Sequence, residues 1–389
     1  MLNATLKHWF EAYFKGDKII WYIVFVLSAF SIMAVYSSTG TLAYKYQSGN
    51  TEYYLIKHTM IILLGIALMY VFHLPPYTVY SRWSNIALIL AAPLLLLTLV
   101  SGTNLNEASR WLTLPIVNIS FQTSDFAKLA LIMFVARGLS KKQGEIKDLR
   151  KGFLPIMLPV LLICGLILPA NFSTAAVLFT TCVILMLIGR VSFKYIAAII
   201  GIAIGLFLVF ILVSKLVGYD GRISTWEKRV DTFIHGGDSD GAYQSDQAKI
   251  AIASGELFGK GPGNSSQRNF LPHPYSDFIF AIVIEEYGLM GGALVVFLYL
   301  ALFYRSVKIA QNSPRAFATF LAIGCAFSLT FQAMINMAVA VNLFPVTGQP
   351  LPMLSMGGTS IWFTSIGIGI ILSVSREYEK EGGVKTVEA

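Results

Sequence analysis

Ten predominantly apolar runs follow one another along this chain, near 19–40, 54–73, 83–101, 122–140, 153–169, 172–190, 192–217, 277–305, 316–341 and 355–376. Each approaches the ~20 residues that a helix needs to cross a bilayer. The runs are continuously apolar, whereas the strands of a transmembrane β-barrel would alternate apolar and polar positions. A helix satisfies its own backbone hydrogen bonds in lipid, so the pattern predicts an all-α integral membrane fold, a ten-transmembrane-helix bundle. One connection, 218–275, is far longer than the others and falls between the seventh and eighth runs. Inside it Ile223, Trp226, Val230, Phe233 and Ile234 recur at helical spacing beside Arg222, Glu227, Lys228, Arg229 and Asp231. That pattern predicts a helix lying in the membrane interface. A second short helix is predicted at 243–254, ended by Gly255. The expectation is one polytopic domain over 1–389, with 1–18, the loop 218–275 and the tail 377–389 outside the bundle.

Composition agrees. Of 389 residues, 56% are hydrophobic and 13% charged, about half the charge of a soluble domain. That excludes a soluble enzyme and a disordered chain. The net charge of +8 changes the picture only through its placement. With the N-terminus in the cytoplasm, the cytoplasmic segments hold Arg82, Lys141, Lys142, Lys147, Arg150, Lys151, Arg190, Lys194, Arg305, Lys308, Arg315, Arg376, Lys380 and Lys385. The short outer connections hold little beyond Lys45, Lys57 and Arg110, and the 218–275 loop sets six basic residues against seven acidic ones. This asymmetry obeys the positive-inside rule, so the excess is topological and no nucleic-acid partner is expected. Both termini are then cytoplasmic, and the 218–275 loop is extracytoplasmic. Lys7, Lys15 and Lys18 before the first run mimic a signal peptide, but the run is too long and lacks a cleavage pattern, which predicts an uncleaved anchor. Cys164, Cys182 and Cys325 sit inside apolar runs at no metal spacing, so neither a disulfide framework nor a metal site follows.

Ionisable groups inside spans are costly and need a partner or a task. Asp125 and Lys128 share a helix face at i,i+3. SDFIFAIVIEE (276–286) places Asp277 at the outer membrane surface and Glu285 and Glu286 deeper in the eighth span. Each has a plain structural reading beside a functional one. Asp277 could cap its helix, Lys128 and Glu285 could pair at matching depth, Arg110 could anchor at the interface, and Arg268 could be a solvated loop charge. Together, a carboxylate and three cations at the outer end suit a phosphate-bearing ligand and a proton transfer. GKGPG (259–263) lacks the Walker A spacing and predicts tight turns instead of a nucleotide site. PVTGQPLPMLSMGGTS (345–360) crowds Pro and Gly at the outer mouth, where irregular backbone must be buried in protein or line a cavity. Gln332 and Asn336 either satisfy that backbone or bind ligand.

The ordered motifs RW (110–111), FQTSDFAK (121–128), YQSDQAKIAIASGELFGKGPGNSSQ (243–267), LPHPYSDFIFAIVIEE (271–286) and PVTGQPLPMLSMGGTS (345–360) resemble the SEDS family of peptidoglycan polymerases, which includes RodA, SpoVE and FtsW. The GNSSQ stretch followed by LP is more similar to the cell-division member. The resemblance implies a peptidoglycan glycosyltransferase that polymerises lipid II at the outer face of the bacterial cytoplasmic membrane, at the division septum. Its essential carboxylate is matched by Asp277. Departures are His273, Pro274, Tyr275 and Ser276 before that carboxylate, Asn171 where the family is usually acidic, and Arg268 in place of a Lys.

The implied chemistry joins the 4-hydroxyl of one lipid-linked disaccharide to the anomeric carbon of another, with a single inversion and loss of a lipid pyrophosphate. Asp277 is the expected base and Arg110, Lys128 and Arg268 the expected pyrophosphate cations, with Gln244, Ser265 and Ser355 as further substrate-binding candidates. Asp125, Glu285, Glu286, Asn336, Pro352, Gly357 and Gly358 are expected to support them. No cofactor is implied with certainty; a divalent cation, Mg or Mn, is left open because no carboxylate cluster marks a site for one. The expected partners are lipid II, membrane lipid, a class B penicillin-binding protein and other divisome membrane proteins. Composition and topology alone would favour a lipid II flippase or transporter, and a non-catalytic divisome scaffold is the third reading.

Overall fold

A computed structural model describes residues 14–101, 103–105, 108–113, 120–217, 222–235 and 240–387, apart from the side chains of 101–110, 113–120, 206–207, 210–228, 240 and 379–387. In chain order the helices are α1 (Lys18–Ser38), α2 (Gly40–Gln47), α3 (Thr51–His73), α4 (Tyr77–Ser101), α5 (Thr123–Lys141), α6 (Leu154–Ile167), α7 (Phe172–Ile188), α8 (Phe193–Val217), α9 (Arg222–His235), α10 (Asp240–Gly255), α11 (Ile279–Asn312), α12 (Ala316–Ala340) and α13 (Thr359–Val387). Among the described residues, seven helical stretches are long and apolar enough to cross a membrane: α1, α3, α4, 149–167, α11, α12 and α13 as far as Tyr378. Phe172–Ile188 and Phe193–Gly205 are shorter apolar helices. The run expected at 122–140 forms α5 but falls outside that set, since Asp125, Lys128, Arg137 and Lys141 dilute its apolar character.

Local chemistry sets many of the ends. Asp17 caps α1 by accepting from the amides of Ile19 and Ile20, and Asn50 and Asn171 cap α3 and α7 in the same way. Helix α4 begins at Tyr77, after Pro75 and Pro76, and so runs nearly two turns earlier than the 83–101 expected from hydropathy. Before α5 the chain forms a three-stranded antiparallel sheet of β1 (Thr103–Leu105), β2 (Ala108–Thr113) and β3 (Ser120–Gln122), with Trp111 opposite Gln122. The hydropathy pattern predicts only a short outer connection there.

Packing centres on α13 against α3, α11 against α12, and α4 against α5, with α12 also against α5 and α7. Small residues permit the closest approaches, as is usual where lipid offers no hydrophobic drive. A Cβ on Gly369 of α13 would lie 2.7 Å from Met69 O of α3, and one on Gly65 would lie 2.8 Å from Ser365 Oγ. The buried interior includes Trp21, Phe153, Phe278 and Tyr299. At the end of the bundle away from the 256–277 segment, Arg305 of α11 donates to Asp17 Oδ2 at 2.9 Å and ties the start of α1 to α11.

Helix α11 is broken. Gly288 takes φ 70° and ψ −175°, so two helical pieces meet there. The backbone groups this break frees are met by the segment after α10. Leu289 N donates to Glu256 O (2.9 Å) and Met290 N to Leu257 O (3.2 Å). In return Lys260 N donates to Glu285 O (3.0 Å) and Gly261 N to Glu286 O (2.9 Å). The approach is so close that a Cβ on Gly259 would lie 2.2 Å from Glu286 O, and one on Gly288 equally near Leu257 O. Both glycines have positive φ. The Gly-rich stretch is thus a turn that splices a loop into a broken helix.

Candidate functional site

Asp277 stands just before α11, after a chain of turns from Leu271. It does not cap that helix: Phe278 occupies the cap position, without a side-chain hydrogen bond. What determines its place is the Pro- and Gly-rich segment 345–358. Three successive carbonyls are fastened to that segment or its supports: Tyr275 O by Met356 N (2.9 Å), Ser276 O by Ser355 Oγ (2.6 Å) and Asp277 O by Asn336 Nδ2 (2.9 Å). Asn336, buried on α12, also donates to Gln349 O at 2.7 Å. Gln332, one turn earlier, donates to Pro350 O at 3.0 Å. Both amides therefore satisfy irregular backbone, the first of the two roles expected for them.

The Asp277 carboxylate is half-buried. It accepts from Ser276 Oγ at 2.9 Å and lies against Gly348, where a Cβ would come within 3.6 Å of Oδ2. Gly348 has φ +64°, a conformation that costs a residue with a Cβ roughly 1 kcal/mol or more. Beside it burial pushes the Tyr275 phenol up from its ordinary range, and the phenols of Tyr46 and Tyr54 and the Asp277 carboxylate act in the same direction. Tyr275 is therefore a protonated neighbour of the carboxylate at neutral pH.

Lys128 lies deeper, on α5. Its ammonium contacts Asp125 Oδ1 at 2.7 Å and Gln332 Oε1 at 3.1 Å. These groups face a cavity of about 40 Å³ between α5, α12 and α13, with Ser328, Ser360 and Thr364 on the same wall, enough room for water. Pro352 also lines the cavity, and its carbonyl accepts from the buried Tyr299 hydroxyl.

Lys128 and Glu285 do not pair, contrary to one expectation. Glu285 is fully buried and is met by Lys260 Nζ at 2.7 Å. It also accepts from the Ser265 and Ser266 hydroxyls and from the amides of Ser266 and Gln267. Glu286, also buried, accepts from the Ser37 hydroxyl and from Ser265 N. Arg268 Nη1 donates to Ser37 O (3.0 Å) and Ser37 Oγ (3.3 Å). The partners of these carboxylates come from the loop and from the end of α1, and spacing along α11 carries no signal for either.

The remaining candidates divide. Ser265 and Ser355 are buried, and their hydroxyls are occupied by Glu285 and by Ser276 O. Gln244 is half-buried on α10. Arg110 falls on β2, and its side chain lies outside the described residues, as do those of Ile223, Trp226, Arg222, Glu227 and Lys228. Gly357 and Gly358 form the turn into α13, Gly358 with φ +52°. Two contacts that the sequence did not disclose clamp the 345–350 segment from outside: Arg229 Nη1 to Val346 O (3.1 Å) and Gln349 Nε2 to Thr174 Oγ1 (3.3 Å). Asn171, one of the departures from the family pattern, accepts from Thr174 N at 3.2 Å and caps α7. Among the described residues no group of three or more His, Cys, Asp or Glu is placed to hold a metal ion.

Known proteins share this architecture. Stage V sporulation protein E of Bacillus subtilis is 30% identical, over 92% of this chain and 97% of its own. A protein named probable peptidoglycan glycosyltransferase FtsW, from Trichlorobacter lovleyi, is 33% identical over 92% and 93%. Among solved structures, a chain of a peptidoglycan synthase complex that coordinates polymerization and crosslinking aligns with TM-score 0.71 and 24% identity, over 93% of this chain and 98% of that one. The rod shape determining protein RodA of Thermus thermophilus aligns with TM-score 0.67 and 22% identity, over 93% and 97%; these two likenesses bear on the fold. The sequence family described as cell cycle protein, named for FtsW, RodA and SpoVE, matches residues 17–380. A match that runs from the Asp17 cap into the last turns of α13 shows that the chain belongs to the FtsW/RodA/SpoVE family.

Proposed function

We propose that this chain is a peptidoglycan glycosyltransferase that polymerises lipid II, with Asp277 as the general base. The observation that carries the reading is a half-exposed carboxylate whose backbone is fastened at three successive carbonyls. A base works best when its geometry is set before the substrate arrives. In this mechanism Asp277 takes the proton of the acceptor 4-hydroxyl as its oxygen attacks the anomeric carbon of the donor. Attack from the face opposite the diphosphate inverts that centre once, and the bond to the lipid pyrophosphate breaks. Arg268, Lys128 and Arg110 are the cations proposed to meet the departing charge. The names of the FtsW relatives support the substrate class.

The same reading places ten spans in the bacterial cytoplasmic membrane, with α5 and the two shorter apolar helices completing the set. Of the charges on α5, Asp125 and Lys128 line the cavity, where Lys128 also meets Gln332. It places the 218–275 loop outside and both termini in the cytoplasm, at the septum. It gives the chain a class B penicillin-binding partner that crosslinks its product. Dependence on a divalent cation is checked by adding EDTA to the assay.

The test is lipid II polymerisation by purified protein, alone and with its transpeptidase partner, comparing wild type with Asp277→Asn. Loss of the base is expected to slow polymerisation by about 10²–10⁴-fold while inserted protein of normal stability is recovered. Normal polymer from the folded variant would overturn the role of Asp277. Movement of fluorescent lipid II across vesicles without polymer would replace the enzyme with a transporter.

A further inference from the structure

Glu285 and Glu286 are neighbours in sequence, yet their carboxylates serve two different halves of Arg268. Glu285 works on its backbone. That carboxylate accepts from the Ser265 hydroxyl, from the amides of Ser266 and Gln267, and from the Lys260 ammonium at 2.7 Å. The Ser265 oxygen so oriented accepts from Arg268 N at 3.1 Å. Glu286 works on its head group. It accepts from the Ser37 hydroxyl and from Ser265 N, and Ser37, through its carbonyl and its hydroxyl oxygen, accepts from Arg268 Nη1.

The consequence is a half-buried guanidinium with one nitrogen committed. Among the described residues the contacts of the Arg268 side chain are those of Nη1, which leaves Nε and Nη2 directed elsewhere. Those two nitrogens lie on one edge of the planar group, the edge that binds phosphate oxygens in pairs. Burying two adjacent carboxylates is costly unless each is hydrogen-bonded. Here nearly all their bonds go to residues 260–268 and to Ser37.

We propose that Glu285 and Glu286 are positioning residues for the diphosphate of the lipid-linked sugar, acting through Arg268. Glu285 sets where the Arg268 backbone enters the site, and Glu286, through Ser37, sets which edge of the guanidinium faces the diphosphate. This inference rests on the glycosyl-transfer reading above, because that reading makes Arg268 a diphosphate ligand.

A double-mutant cycle tests it. Arg268→Ala and Glu286→Gln are each expected to lower kcat/KM for lipid II about tenfold, the scale of one charge-assisted hydrogen bond. Inorganic pyrophosphate, used as a competing probe, should inhibit each variant more weakly by a similar factor. The double variant should be no worse than Arg268→Ala alone, since Glu286 has nothing left to orient. A loop merely loosened would give effects that multiply, and that result would overturn the proposal, as would unchanged pyrophosphate inhibition in Glu286→Gln. Ser37→Ala should weaken pyrophosphate inhibition in the same direction. Hydrogen exchange of the 265–268 amides supplies a readout free of activity: Glu285→Gln should speed it. If that variant fails to insert, Ser265→Ala makes the same test. Should Asp277→Asn polymerise normally while the exchange effect persists, the failure lies with the catalytic reading and not with the loop anchor.

Discussion

Asn336 is the residue on which the site's backbone depends most. Its single amide nitrogen donates to Asp277 O at 2.9 Å and to Gln349 O at 2.7 Å, so it joins the carboxylate's own segment to the loop beneath it. Replacing it by leucine, of similar shape, would strand two carbonyls. Asn336→Leu is expected to cost about 1–3 kcal/mol for the unpaired groups, seen as a lower unfolding temperature in detergent. It should also cut polymerisation more than that stability loss alone would. The presence of a polar residue in the ninth run was evident from the sequence. Its partner was not, because the carbonyls it meets are 59 and 13 positions away along the chain. The same applies to Glu285, whose cation is Lys260 on a loop and not Lys128 on a neighbouring span.

At the scale of elements, the joint between the 256–261 segment and the break in α11 decides the architecture of the site. Backbone hydrogen bonds cross it in both directions, and they need two glycines with positive φ, Gly259 against Glu286 O and Gly288 against Leu257 O. Gly259→Ala would set a Cβ 2.2 Å from Glu286 O, a contact backbone cannot accommodate without separating. The expected result is protein that still inserts, with a 256–270 segment cut by added protease several-fold faster and with activity lost. An unchanged digestion rate would show that the joint carries no stability. Helix α9 belongs to the same scale. Val230, Phe233 and Ile234 remain exposed on it, while Arg229 grips Val346 O, so its apolar side is open to a bilayer interface and its polar side holds the Pro/Gly segment.

The whole molecule is a bundle whose two ends differ in chemistry. Lys142, Lys147, Arg150, Lys151 and Arg315 gather at the end where Arg305 holds Asp17. The candidate site and its loop lie at the other end. Because Cys164, Cys182 and Cys325 are all buried, introduced cysteines give a clean measure of sidedness. Lys147→Cys is expected to react with an impermeant maleimide only from the cytoplasmic side, and Asn264→Cys only from the outside. Labelling of both from one side would contradict the topology and the placement of the site.

The alternation of long apolar runs with short polar connections, and the placement of Lys and Arg among those connections, was enough to determine a polytopic helical membrane protein. Both are local counts, and a bilayer imposes the same length and backbone demands on every span. The helix in the long loop and the short helix after it were legible as local patterns, as α9 and α10 follow period and terminator. The identity of the candidate carboxylate came from ordered motifs resembling a family, not from periodicity. Tertiary structure alone decided who meets whom: Lys128 with Gln332, Glu285 with Lys260, and Glu286 with Arg268 through Ser37. The break at Gly288, met by the 256–261 segment, was decided there too. Each arises from backbone and side-chain groups far apart in the chain that must be satisfied once water is removed. No local pattern encodes which distant donor will do so.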